Sequence, residues 1–224
     1  MPAPPEAARL VFGSALPTAQ AYAEFLAGPG VERGLIGPAE AHRIWDRHLL
    51  NSAVVAELVP AVGNLVDLGS GAGLPGVVLA MMLPAVNVIL VEPMARRTTF
   101  LTECVAMLGL SNVEVRRGRA EGLAGRLAAD VVTARAVARL DRLAVLAAGV
   151  ARPGGLVLAL KGATAARELE EAAPVLRRLG AADVEIVTAG VGVVSQPTTV
   201  VRFRTSRHAA RPAGRGGRRR GGAL

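Results

Sequence analysis

Three residue types that often carry chemistry are nearly absent from this sequence. Cysteine, lysine and tyrosine each occur once, and aromatic residues make up only 3% of the 224 residues. The single cysteine, Cys104, excludes an internal disulfide and is typical of a reducing compartment. It lies in an apolar stretch predicted as helix, where we expect it to fill the core. Tyr22 and Lys161 are too far apart in sequence for the Tyr-x-x-x-Lys pair of a reductase.

The sequence contains no segment typical of a membrane anchor or a secretion signal. Met1 to Arg9 has no basic stretch leading into an apolar run. The uncharged stretch from Leu68 to Val91 is long enough to cross a bilayer, but four glycines, Pro75, Pro84 and Asn87 interrupt it. This pattern favours a loop, a buried helix, a turn and a buried strand. We therefore expect a cytoplasmic protein without membrane contact.

The net charge of +8 is concentrated near the carboxyl terminus. Residues 205–224 contain no acid and six arginines: Arg207, Arg211, Arg215, Arg218, Arg219 and Arg220. The rest of the chain then holds 20 basic and 18 acidic residues. Because this Arg/Gly-rich segment has little apolar surface to bury, we predict a disordered tail over 205–224. It could tether phosphate electrostatically or merely aid solubility, and the sequence does not separate these roles.

Periodicity divides the remainder into a helical part and an alternating part. Residues 1–59 have apolar residues at helical spacing, from Leu10 to Leu26 and from Pro38 to Pro60, and are predicted to form an N-terminal helical extension. Residues 60–204 alternate short apolar strands with helices, which predicts an α/β domain with a mostly parallel sheet. The predicted strands are Leu65–Leu68, Val86–Val91, Val113–Arg116, Val131–Thr133, Leu156–Leu160, Val184–Thr188 and Thr199–Phe203. The predicted helices are Val77–Leu83, Arg97–Leu108, Glu121–Leu127, Leu140–Val150 and Ala165–Leu179. A short Gly-rich connection predicts that the last two of the seven strands are antiparallel.

The most informative segment follows the first predicted strand, from Asp67 to Gly76, and contains Gly69, Gly71 and Gly73. Glycines at alternate positions allow a tight turn and a close approach of backbone to ligand. Glu92 ends the second strand, where a carboxylate could accept hydrogen bonds from both hydroxyls of a ribose. In such sheets, ligands bind beyond the carboxyl ends of the strands.

The same residues also fit a dinucleotide fingerprint, since Gly71, Gly73 and Gly76 have the right spacing and Glu92 follows at the usual distance. Electrostatics favour a different ligand. Asp67 beside the turn would repel a pyrophosphate but suits the cationic methionine part of S-adenosylmethionine. We therefore predict S-adenosylmethionine as the cofactor and a Rossmann-like class I methyltransferase as the fold class, with no metal site.

The sequence resembles the glucose-inhibited division protein B family of ribosomal RNA methyltransferases over about Trp45 to Arg204. The likeness rests on Arg47-His48-Leu49-Leu50-Asn51-Ser52, the Asp67 to Gly76 block with its Leu74-Pro75-Gly76 ending, Arg96-Arg97-Thr98-Thr99-Phe100-Leu101, Ala134-Arg135-Ala136 and Ala159-Leu160-Lys161-Gly162. The resemblance implies methylation of N7 of a guanine in 16S ribosomal RNA. It further implies that Gly69 and Leu74 contact the cofactor, that Ala120 and Glu121 lie beside its adenine, and that Arg135 lines the pocket near the reacting centre.

Guanine N7 carries a lone pair and no proton, so we expect no general base and assign no certain catalytic residue. Arg135 could orient the guanine or hold the methionine carboxylate. The candidate RNA-binding residues are Arg47, His48, Asn51, Arg96, Arg97 and Lys161, although each could equally form an ordinary polar surface. A small-molecule methyltransferase and a non-catalytic RNA-binding module remain alternatives. We expect a monomer acting on 16S ribosomal RNA, either free or within the 30S subunit.

Overall fold

The structure is a computed structural model that describes residues 3–206. The arginine-rich tail predicted to be disordered therefore lies outside the described residues, except for Thr205 and Ser206. Thr205 still belongs to the folded unit, because its Oγ1 donates a hydrogen bond of 2.8 Å to the carbonyl of Arg152.

Seven strands form a single sheet in the order β3-β2-β1-β4-β5-β7-β6. The strands are β1 (Gly63–Leu68), β2 (Val86–Glu92), β3 (Val113–Arg117), β4 (Ala129–Arg135), β5 (Ala151–Lys161), β6 (Ala182–Ala189) and β7 (Thr198–Arg204). The first five pair in parallel, whereas β7 pairs antiparallel with both β5 and β6. Each predicted strand lies within an observed one, and the antiparallel final pair is confirmed. The strand order reverses between β1 and β4, which is where such sheets open a ligand crevice.

Helices cover both faces of the sheet and bury two apolar clusters against it. They are α4 (Gly76–Met82), α5 (Ala95–Leu108), α6 (Ala120–Leu123), α7 (Leu140–Val150) and α8 (Ala165–Arg178). Leu143 and Ala147 of α7 and Leu176 of α8 are buried on one face. The helix predicted over Glu121–Leu127 is too long: it ends at Leu123, because Gly125 adopts a left-handed φ of 72°.

The N-terminal extension begins with two regular helices, α1 (Glu6–Phe12) and α2 (Leu16–Phe25), joined by a 3-10 turn over Gly13–Ala15 and followed by a π-helical turn over Leu26–Gly30. Pro17 lies in the first turn of α2. A proline is tolerated there because its missing N–H would have had no partner.

The segment from Pro38 to Pro60 is helical, as predicted, but it is not one regular α-helix. The chain forms a 3-10 segment over Pro38–Arg43, a π-helical segment over Ile44–Leu50, one α-helical turn, α3 (Asn51–Ala53), and a 3-10 segment over Val54–Leu58. Side chains compete for the backbone here. Ser52 Oγ donates to the His48 carbonyl at 2.7 Å, and Arg135 Nη2 donates to the Arg47 carbonyl at 3.1 Å.

The extension shares one apolar cluster with the sheet. Phe25 of α2 packs against Phe100 of α5 with ring centroids 4.8 Å apart. Tyr22 of α2 is fully buried and donates a hydrogen bond of 2.8 Å to the carbonyl of Ala72, in the loop after β1. Within residues 3–206, no helix is both long and apolar enough to cross a membrane.

Candidate active site

The loop after β1 contains three glycines whose backbone conformation disfavours other residues. Gly69, Gly71 and Gly73 have φ values of 65°, 57° and 103°, in the region that disfavours side chains. A Cβ on Gly73 would lie 2.8 Å from the Tyr22 hydroxyl, and one on Gly69 would lie 2.7 Å from Val137 Cγ2. Conformation and close packing therefore both require glycine at these two positions.

Asp67, at the carboxyl end of β1, is buried beneath this loop. Its Oδ1 accepts a hydrogen bond of 2.7 Å from Thr133 Oγ1 on β4, and its Oδ2 accepts one of 3.2 Å from the backbone N–H of Gly76 at the start of α4. Burial raises the pKa of Asp67 to about 6, although these two donors oppose the shift. Asp67 thus ties β1, β4 and α4 together and has no exposed surface.

Glu92, at the end of β2, contacts the same loop from the other side. Its Oε2 accepts a hydrogen bond of 3.1 Å from the N–H of Gly71, and its Oε1 accepts one of 2.9 Å from the N–H of Met94. Arg97 Nη1 lies 3.7 Å from Oε2. The carboxylate is fixed by backbone donors, and its oxygens keep lone pairs for further donors.

A cavity of about 310 Å³ lies between these elements. Four residues predicted to bind a cofactor line it, namely Gly69, Glu92, Ala120 and Glu121. Arg97 lines it as well, although the sequence suggested an RNA contact for this residue. The other predicted cofactor residues, Asp67, Gly71, Gly73, Leu74 and Arg135, are not part of its lining. Gly71, Gly73 and Leu74 belong to the loop after β1, and Asp67 lies at the end of the strand beneath it.

A second cavity of about 590 Å³ adjoins the first, and the two share Ala136, Val137 and Ala138 as a common wall. Its lining includes Arg47, Asn51, Arg135 and Lys161, which the sequence had suggested as substrate contacts, together with Arg139, Leu160, Gly162, Glu168, Gln196 and Thr198. The irregular segment after Pro38 and the ends of β4, β5 and β7 thus meet at one site.

Arg135, the last residue of β4, is held by the N-terminal extension. Its Nη2 donates to the Arg47 carbonyl at 3.1 Å and lies 2.9 Å from Nδ1 of the buried His48. Burial lowers the pKa of His48 to about 4, and the neighbouring Arg135 adds to that shift. Asn51, in its favoured amide orientation, donates to the carbonyls of Gln196 and Asp46. His48 therefore contacts the site from behind: its ring faces Arg135, but it lines neither cavity.

Lys161, at the end of β5, supports the wall between the cavities. Its Nζ donates to the carbonyl of Ala138 at 2.9 Å and to Glu168 Oε2 at 2.8 Å. Glu168 also accepts hydrogen bonds from Thr164 Oγ1 and from the N–H of Leu140. Lys161 and Glu168 thus fix the position of Ala138.

Two of the predicted RNA contacts have exposed side chains, one at the rim of the larger cavity and one at the start of α5. Arg47 and Arg96 are exposed, and neither forms an ion pair within the described part of the chain. Arg96 opens α5, where the helix dipole disfavours a cation. Both arginines are therefore free to bind an anion.

Sequence reasoning missed several residues of the site. Val137 carried no chemical signal, and neither did Gln196 or Thr198, which follow the Gly-rich connection. Glu40 was not among the predicted site residues, yet its Oε2 lies 3.3 Å from His48 Nε2. Tyr22, buried under the glycine loop, was considered only as a missing reductase residue.

The sheet order, the glycine loop after β1 and the inserted antiparallel β7 define a Rossmann-like class I methyltransferase fold. The TYW2 protein of M. jannaschii, solved in complex with AdoMet, shares it with a TM-score of 0.58 at 16% identity, over 74% of this chain and 78% of that one. A SAM-dependent O-methyltransferase from Thermotoga maritima gives 0.56 at 13% identity, over 77% and 72%.

The sequence comparisons are more specific. The GidB family, described as rRNA small subunit methyltransferase G, matches residues 15–196. The ribosomal RNA small subunit methyltransferase G of Thermobifida fusca is 55% identical over 89% of this chain and 84% of its own length. The protein of the same name from Salinispora tropica is 54% identical over 97% and 96%. The chain belongs to this family, which confirms the resemblance found in the sequence.

Proposed function

We propose that this chain is an S-adenosylmethionine-dependent methyltransferase that modifies N7 of a guanine in 16S ribosomal RNA. The proposal is carried by the two adjoining cavities at the carboxyl ends of the strands, which share the wall Ala136–Ala138. A methyl transfer needs donor and acceptor side by side. Membership of a small-subunit ribosomal RNA methyltransferase family supports RNA as the acceptor.

The smaller cavity fits S-adenosylmethionine. Gly69 has no Cβ and a left-handed φ, so a ligand can reach the loop backbone. The oxygens of Glu92 can each accept a further hydrogen bond, which suits the two hydroxyls of a ribose. We place the adenine beside Ala120 and Glu121. When bound, S-adenosylmethionine supplies a methyl group activated by its positively charged sulfur.

The predicted cofactor residues that do not line the smaller cavity act indirectly, by holding the loop after β1 in shape. Asp67 fixes the start of the loop through Thr133 and Gly76, and Gly71 is held by Glu92. Gly73 leaves room for the hydroxyl of Tyr22. We therefore assign Asp67, Gly71, Gly73 and Leu74 to shaping the cofactor loop.

The larger cavity suits a guanine that needs no deprotonation. Glu168 is the one carboxylate among its described lining residues, and Lys161 already binds it. Methylation at N7 requires alignment rather than a general base, so this lack of a free base fits the proposed reaction. Arginine often donates to both O6 and N7 of guanine. Since N7 must stay free here, we assign Arg135 a donation to O6 alone.

The RNA backbone would meet exposed cations around these cavities. Arg47 and Arg96 have no acidic partner within residues 3–206, so they are our main candidates for phosphate contacts. Asn51 lines the larger cavity and could contact the target nucleotide. Arg97 lies nearer the cofactor, and Lys161 keeps one donor beyond its bonds to Ala138 and Glu168. Few aromatic side chains are available, so an arginine plane would stack on the extruded base.

We further propose that the chain acts as a monomer in the cytoplasm, on 16S RNA that is free or within the 30S subunit. In this proposal, the two parts of the chain differ in role. Residues 1–59 contribute Arg47 and Asn51 to the larger cavity, and residues 60–204 carry the cofactor loop and most of both cavities.

The test is incubation of the purified chain with methyl-labelled S-adenosylmethionine and, in parallel, free 16S RNA, 30S subunits or a metabolite pool. Mass spectrometry should place the label on N7 of a single guanine, and the rate should fall as salt rises. Glu92→Gln should weaken cofactor binding, whereas Glu24→Gln, an exposed control on α2, should not. Label found only in small molecules would contradict the RNA assignment.

A further inference from the structure

We propose that His48 and Glu40 are positioning residues: the imidazole of His48, oriented by Glu40, holds the guanidinium of Arg135 at the wall of the larger cavity. This inference rests on the proposed function, in which that cavity receives the target base. It gives His48 a role behind the site instead of the RNA contact that its sequence position suggested.

The distances determine which nitrogen of His48 carries the proton. Arg135 Nη2 lies 2.9 Å from His48 Nδ1, and a guanidinium can only donate. Nδ1 must therefore offer its lone pair. The proton of the neutral ring then lies on Nε2, which is 3.3 Å from the negatively charged Glu40 Oε2, close enough for electrostatic attraction but without the geometry of a hydrogen bond. Glu40 thus favours the tautomer that Arg135 requires.

The charges agree with this arrangement. Burial lowers the pKa of His48 to about 4, the positive charges of Arg135 and Arg47 lower it as well, and Glu40 opposes them. The ring is uncharged at neutral pH, so Arg135 meets an acceptor rather than a second cation. A protonated His48 would place two positive charges in contact.

Arg135 depends on this support because no carboxylate holds it. Within residues 3–206, it has no acidic group within 4 Å, and its Nη1 is buried without a partner. The carboxyl group of Asp67, on the neighbouring strand, is engaged by Thr133 and Gly76. The guanidinium therefore relies on His48 and the Arg47 carbonyl for its orientation.

Two other roles for His48 fit the geometry less well. The residue is only 9% exposed, which leaves little surface for an RNA contact. A general base needs a free lone pair, but Nδ1 already accepts from Arg135 and Nε2 carries the proton. His48 can thus act on the reaction only through Arg135.

Kinetics of His48→Leu and His48→Asn test the proposal, with His42→Leu as the control at an exposed histidine of the same segment. Leucine removes the acceptor, whereas the Oδ1 of asparagine can replace Nδ1. We expect kcat for RNA methylation to fall about 10- to 100-fold in His48→Leu, because small displacements of positioning groups have effects of this size. His48→Asn should recover to within about threefold of the unmodified chain. The Kd for S-adenosylmethionine should stay within about twofold throughout, since Arg135 does not line the cofactor cavity.

A second measurement does not depend on activity. The ¹⁵N NMR spectrum of the unmodified chain should show His48 as the neutral Nε2–H tautomer at pH 7, and Glu40→Gln should reduce that preference. A protonated ring, the Nδ1–H tautomer, or equal kcat for His48→Leu and His42→Leu would overturn the inference. If the unmodified chain fails to methylate RNA while the tautomer is as expected, the proposed function fails and the contact itself stands.

Discussion

Replacing Gly69 by alanine separates the backbone requirement of the cofactor loop from its packing requirement. Gly69 and Gly109 share a φ of 65°, but a Cβ on Gly69 would lie 2.7 Å from Val137 Cγ2, whereas one on Gly109 has nothing within 4 Å. A left-handed φ costs a non-glycine residue about 1–2 kcal/mol. The shared φ alone should therefore cost each variant about 1–2 kcal/mol of unfolding free energy, or roughly 2–8 °C in Tm for a chain of this size.

Only Gly69→Ala should weaken cofactor binding, because its Cβ displaces Val137 in the wall shared by the two cavities. We expect calorimetric titration to give a Kd for S-adenosylmethionine at least about tenfold higher, equivalent to about 1.4 kcal/mol, whereas Gly109→Ala stays within about twofold. Adding Val137→Ala to Gly69→Ala removes the contact and should recover much of the loss in a double-mutant cycle. Equal affinities for the two single variants would refute the reasoning.

Three further predictions concern buried groups. The pKa of Asp67 is raised from 3.8 to about 6 in the folded state, so protonation of Asp67 favours folding. About 3 kcal/mol of unfolding free energy should therefore be lost as pH rises from about 4 to 6. Unfolding melts of Asp67→Asn over the same pH range should not show this loss. Lys161→Met removes a charged donor from the partly buried carboxylate of Glu168 and should cost about 1–3 kcal/mol by denaturant unfolding. Arg202→Met, in a more exposed ion pair, should cost less than about 1 kcal/mol. Burial raises the pKa of the Cys104 thiol to about 12, so a thiol reagent should modify it only as the chain unfolds, and rapid labelling of the folded protein would contradict this.

The sheet could be predicted from sequence because each strand is a short apolar run bounded by turn residues. The residues that flank each strand in the sequence determine where the strand starts and ends, so the local sequence pattern is enough to predict it. The segment after Pro38 could not be predicted in the same way. Its apolar spacing is helical, but Ser52 and Arg135 take backbone carbonyls that a regular helix would use. One of these donors comes from a strand 88 residues later in the chain.

The residues of the candidate site also fall into two groups, those that the sequence could predict and those that it could not. Asp67, Gly69 and Glu92 could be found because the motif is contiguous and because parallel strands end at a common edge. The contact between His48 and Arg135 joins residues 87 apart, and Val137 lies over Gly69 through the packing of one loop on another. No local pattern encodes such contacts, so they emerge only from the folded chain.

The reversed direction of β7 determines where a label can be attached without disturbing the site. Thr199 pairs with Lys161 at the edge that holds the cavities, and Arg204 pairs with Leu156 toward the opposite edge. At about 3.4 Å per residue, the chain travels roughly 17 Å away from the cavities along β7. A fluorophore or surface anchor attached at Ser206 therefore joins the protein at the rear of the sheet, on the side away from both cavity openings.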